Sequence, residues 1–135
     1  MARKLFIPAA LLFAGLMSFT YISSLEGTYI YTGGIYNNKA EAASKDYTLQ
    51  RRYNDEEYES TFIEPGQDTI VYEQGKYKLP TDTTCLETQT YSKQPSKTLN
   101  ITVAYKYKLQ HDTLVFSGVL PNGTTVQEYW KKVSK

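Results

Sequence analysis

The sequence predicts an all-β domain, an antiparallel up-and-down barrel of about eight strands. Three observations point there. Beyond Ser24, runs of tyrosine, threonine, valine and isoleucine alternate with polar residues at the two-residue period of a strand. Clusters of Gly, Pro, Asn and Asp punctuate those runs at short intervals, as turns require. The helical apolar period is nearly absent from the same stretch.

The first strand is expected near Leu25 to Thr32, ending at Gly33-Gly34. The polar, alanine-containing segment Asn37 to Lys45 reads as a loop with at most one helical turn. Strands follow near Tyr47 to Tyr53 and Tyr58 to Glu64, joined by the polar connection Asn54-Asp55-Glu56. Pro65-Gly66 turns the chain into a fourth strand, Thr69 to Leu79, where Gly75 in mid-run predicts a bulge or bend. Pro80-Thr81-Asp82 leads into a fifth strand, Thr83 to Tyr91, and Ser92 to Ser96 forms the next loop.

The sixth strand carries the clearest pattern. Leu99, Ile101, Val103, Tyr105, Tyr107 and Leu109 share one face, and Asn100, Thr102, Ala104, Lys106, Lys108 and Gln110 share the other. The first set is expected to face the core along its whole length. His111-Asp112 connects to a seventh strand, Thr113 to Leu120, and Pro121-Asn122-Gly123 to a last one, Thr124 to Val133. Short turns make neighbouring strands antiparallel, and a small disulfide-free chain hides its sheet edges best by closing them into a barrel. The same alternation is compatible with a two-sheet sandwich.

Residues 1–24 read as a signal peptide: Arg3-Lys4, an apolar run from Leu5 to Met17, then small and polar residues up to Ser23-Ser24. Extending the apolar run through Ile22 gives an anchor helix as the alternative. Removing this segment leaves 13 basic and 14 acidic residues, interspersed along one domain, residues 25–135. The expected location is therefore periplasmic or secreted, with membrane contact only through the export signal. The balanced charge lacks the concentrated positive field that nucleic acid binding needs.

Cys85 stands alone, so no internal disulfide is available, and it reads as a small buried apolar side chain. One histidine, His111, and one cysteine do not make the four-ligand set of a zinc site, so no metal or other cofactor is expected. No nucleophile-elbow serine and no glycine-rich phosphate loop is present, and no catalytic role is assigned.

Three short motifs resemble small lipocalin-like proteins, especially an uncharacterised exported group of gut Bacteroidota. They are Gly27-Thr28-Tyr29, then Gly75-Lys76-Tyr77 leading to Cys85-Leu86-Glu87-Thr88, and the ending Val126-Gln127-Glu128-Tyr129-Trp130-Lys131-Lys132-Val133. The sequence departs from that pattern at Tyr29, where a tryptophan is usual, and at Lys132, where an arginine is usual; in lipocalins that pair stacks to close one barrel end. The resemblance implies a barrel with a ligand cavity, and it carries no substrate.

The candidate ligand-binding residues are Tyr47, Arg51, Glu87, Tyr105, Tyr107, Glu128 and Trp130. Tyr47, Leu49, Arg51 and Tyr53 share one strand face, as do Cys85, Glu87, Gln89 and Tyr91, so an inward-facing Arg51 meets acidic company. A charge inside a barrel must be paired, so Arg51 either forms an ion pair with Glu87 or Glu128 or holds a ligand carboxylate. On the second reading, Arg51→Leu abolishes binding of a fatty acid and leaves the fold intact. Trp130 reads as core or as the floor of the pocket. The expected function is binding of a small apolar or amphipathic molecule. The alternatives are a filled barrel that meets an unidentified protein partner, and an enzyme built on Glu87 and Glu128 facing one pocket.

Overall fold

The computed structural model describes residues 24–135; the expected signal segment, apart from Ser24, lies outside the described residues. The described chain is nine antiparallel strands without a helix: β1 (Gly27–Tyr36), β2 (Lys39–Ala42), β3 (Thr48–Tyr53), β4 (Glu57–Ile63), β5 (Ile70–Lys78), β6 (Thr84–Ser92), β7 (Thr102–Gln110), β8 (Thr113–Val119) and β9 (Thr125–Ser134). From β3 to β9 each strand pairs with the next, and β1 pairs with both β3 and β9. That last pairing closes an eight-stranded up-and-down barrel, with β2 as a short addition beside the end of β1. A sandwich has no such closure, so this alternative falls.

Two turns match their residues closely. Asn37-Asn38 and His111-Asp112 each have positive φ at both positions (49° and 67°, 49° and 61°), the backbone of the tight hairpin turn that suits the right-handed twist of its strands. The first of these corrects the expected loop at Asn37 to Lys45. Instead of a helical turn, the chain folds back as β2, with Tyr36 opposite Lys39 and Gly33 opposite Ala42.

The inward faces divide the barrel along its axis. At one end Tyr29, Tyr53, Tyr77, Cys85, Tyr107 and Leu114 form a filled aromatic core, and Leu25 caps it. The cap is held by polar groups: Tyr29 Oη donates to the Leu25 carbonyl at 2.8 Å, and the Leu25 amide donates to Tyr77 Oη at 3.1 Å. Lys132 Nζ sits 5.8 Å from the Tyr29 ring centroid, so a lysine and a tyrosine meet at the closed end. Cys85 is fully buried in this core, and burial pushes its thiol up, as expected for an inert side chain.

The expected inward face of the sixth strand holds for Val103, Tyr105 and Tyr107 only. β7 begins at Thr102, because Asn100 takes a left-handed φ of 60° and breaks the extended run. Leu99 and Ile101, at 43% and 40% exposure, lie before that strand rather than in a water-free centre, and Leu109, next to last in the strand, is exposed.

Gly75 sits at a register shift between β5 and β6, as its position in mid-strand suggested. A Cβ there would lie 2.5 Å from the Thr88 carbonyl oxygen and closer still to the Tyr58 ring. The backbone neighbour is unable to yield, so Gly75→Ala is expected to destabilise the fold by about 1–3 kcal/mol, read as a lower urea midpoint. A midpoint equal to that of the parent protein would show that Tyr58 repacks freely.

Candidate functional site: a barrel cavity around Arg51

Beyond the filled core, toward the β1–β2 hairpin, the barrel interior opens into a cavity of about 440 Å³. Period two along each strand puts Leu49 and Arg51 of β3, Glu87 and Gln89 of β6, Val103 and Tyr105 of β7, and Glu128 and Trp130 of β9 on its walls. Tyr31 and Tyr36 come from β1, and Tyr47 stands half-exposed at the rim against Phe62, with ring centroids 4.6 Å apart.

Arg51 forms the floor. Its Nε donates to Ser60 Oγ at 2.9 Å, and its NH1 donates to Tyr53 Oη at 3.3 Å and to Glu87 Oε1 at 3.2 Å. NH2 reaches Glu73 Oε2 at 3.5 Å. The guanidinium also lies over two ring faces, 4.8 Å from the Tyr58 centroid and 4.9 Å from that of Trp130. Burial opposes the charge, but the surrounding Tyr53, Glu87 and Glu73 outweigh it and hold the guanidinium pKa above its ordinary value.

Glu87 is equally enclosed. Oε1 accepts from Arg51 and Oε2 accepts from Tyr53 Oη at 3.1 Å, so each oxygen is engaged. Burial raises its pKa to about 7 even though Arg51 pulls the other way. Glu73, not anticipated from the sequence, completes the cluster and accepts from Tyr58 Oη at 2.8 Å. Its position was readable: Glu73, Gly75 and Tyr77 share a face, and Glu73 pairs across from the inward Ser60.

A second polar chain lines the upper wall. Tyr31 Oη and Tyr36 Oη lie 2.8 Å apart, and Tyr36 Oη donates to Glu128 Oε2 at 2.8 Å. Gly34 makes room for this chain, since a Cβ at that position would fall 2.8 Å and 2.9 Å from the two hydroxyl oxygens. The Gly33-Gly34 pair, read from the sequence as the end of a strand, thus lies inside one.

Of the seven candidates, the fold brings Tyr47, Arg51, Glu87, Tyr105, Glu128 and Trp130 to one cavity. Tyr107 is the exception. It is two residues further along β7 than Tyr105, which carries it into the filled end beside Cys85 and Leu114. Arg51 also differs from a free carboxylate anchor, because it is already in ion pairs with Glu87 and Glu73. Its removal would strand both acids, so an intact fold is no longer expected for Arg51→Leu. Compared with models of known protein families and with curated proteins, the chain matches none.

Proposed function

We propose that this protein is an exported, non-enzymatic binder that holds one small amphipathic molecule in its barrel. The single observation that carries this reading is the cavity of about 440 Å³, stopped at one end by the tyrosine core and lined by aromatic rings and a few fixed polar groups. A barrel serving only as a filled scaffold has no need of such a space, which weighs against the interaction-module alternative.

Two features favour binding over chemistry. Glu87 faces the same cavity as Glu128, as an enzyme reading requires, but both Glu87 oxygens are committed to Arg51 and Tyr53. A general acid or base needs a free path to a substrate proton. The Arg51 cluster instead fixes the shape of the floor, through hydrogen bonds to Ser60, Tyr53, Glu87 and Glu73.

Native mass spectrometry of the protein isolated from its own cells tests this reading. The expected result is a folded species heavier than the polypeptide by one small molecule, which is lost on denaturation, with an N-terminus at or just after Ser24. A bare mass under native conditions, together with failure to take up any amphipathic probe, would contradict the binding reading. Retention of residues 1–24 would contradict export by cleavage.

A further inference from the structure

The cavity is unevenly charged. Glu41, Glu73, Glu87 and Glu128 line it, and Arg51 is the one cationic side chain among its lining residues. Arg51 forms ion pairs with both Glu87 and Glu73 and also donates to Ser60 and Tyr53. Glu128 has no ion pair among the described residues; its Oε2 accepts one hydrogen bond from Tyr36. Glu41 stands exposed on β2 at the rim and likewise forms no ion pair among them.

The rest of the wall points the same way. Tyr31, Tyr47, Tyr72 and Tyr105 surround the space, and the electron-rich faces of such rings attract cations and disfavour carboxylates. A half-buried carboxylate in partly desolvated surroundings gains most from a charged hydrogen-bond donor. A fatty acid entering here would set its carboxylate against Glu128 with Arg51 already engaged, whereas an ammonium would meet an acceptor.

We propose that the cavity selects organic cations: a protonated amine on a compact apolar body, with the ammonium at Glu128 and the body against Tyr47 and Tyr105. This narrows the proposed binding function and rests on it. Tyr36 acts as a positioning residue, because its hydroxyl fixes the Glu128 carboxylate and is itself fixed by Tyr31.

Calorimetric titration of the full chain with three head-group-matched probes, octylammonium, octanol and octanoate, separates the two claims. Octylammonium is expected to bind roughly tenfold or more tightly than octanol, with octanoate weakest. Glu128→Gln, whose amide oxygen still accepts from Tyr36, is expected to weaken octylammonium by roughly tenfold and bring it level with octanol. Equal affinities, or a preference for octanoate, would overturn the cation proposal while leaving the cavity a ligand site. Unchanged octylammonium binding by Glu128→Gln would overturn it as well. Failure of all three probes to bind the parent protein, together with a bare native mass, would remove the binding function itself. The ranking in the parent protein needs no variant to fold, and the urea midpoint of Glu128→Gln checks that its loss is local.

Discussion

Replacing Arg51 with leucine is expected to destabilise the barrel by about 3–5 kcal/mol near pH 8, because it leaves two carboxylates in the wall without a cation. The variant loses the ion pairs to Glu87 and Glu73, the hydrogen bonds to Ser60 and Tyr53, and the packing of the guanidinium between Tyr58 and Trp130. The loss should depend on pH. In the parent protein the folded-state pKa of Glu87 is raised from an ordinary 4.5 to about 7, so the folded state holds this proton more firmly than the unfolded chain. Stability from that group is therefore fully present below its unfolded pKa and declines as pH rises through about 7.

Without Arg51, which lowers the Glu87 pKa in the parent protein, the protonated form of Glu87 becomes more favoured still. Urea denaturation should then show a smaller deficit near pH 5 than near pH 8. Adding Glu87→Gln to Arg51→Leu should recover part of the loss, since one stranded charge disappears. A deficit that is the same at both pH values, or a double variant no better than the single one, would show that Arg51 contributes through packing alone.

Tyr53→Ala is expected to cost a similar amount, about 3–5 kcal/mol, by emptying the centre of the filled end. The Tyr53 ring, 2% exposed, meets Tyr29 and Tyr77 edge to face at 5.7 Å and 5.0 Å, and lies tilted against Tyr58 and Phe116 at 5.8 Å and 6.5 Å. Its hydroxyl also donates to Glu87 and accepts from Arg51. Tyr53→Phe keeps the ring and removes only the hydroxyl, so a smaller loss of about 1–3 kcal/mol is expected from the unsatisfied Glu87 oxygen. Urea midpoints in the order parent, Phe, Ala are the expected result. Equal losses for Phe and Ala would place the energy in the hydrogen bonds, and no loss for Ala would contradict a packed core at that end.

The barrel was legible because alternation is local: Leu49, Arg51 and Tyr53 face inward as the two-residue period requires, and Cys85, Glu87 and Gln89 do the same. What period two lacks is depth along the barrel axis. Tyr105 and Tyr107 have the same parity, yet one lines the cavity and the other packs in the closed core, a difference set by register and bulges across several strands. Tyr91 shares parity with Glu87 but is exposed, since the shift between Gln74 and Gly75 changes the pairing there.

β2 leaves little trace in the sequence for a different reason. Its Lys-Ala-Glu-Ala sequence has little intrinsic strand preference and every side chain is exposed, so no apolar alternation marks it. The Asn37-Asn38 pair before it is the signal that was available, since asparagine tolerates the left-handed backbone of a tight hairpin. Glu73 shares a face with Gly75 and Tyr77, and the glycine between them carries no side chain to mark that face.

A crystal structure of the protein soaked with octylammonium would show whether the space above Arg51 takes a guest. Electron density for the probe is expected between Tyr47, Tyr105 and Trp130, with the Arg51–Glu87 pair intact beneath it. Side chains collapsed into that space, leaving no room above Arg51, would contradict it.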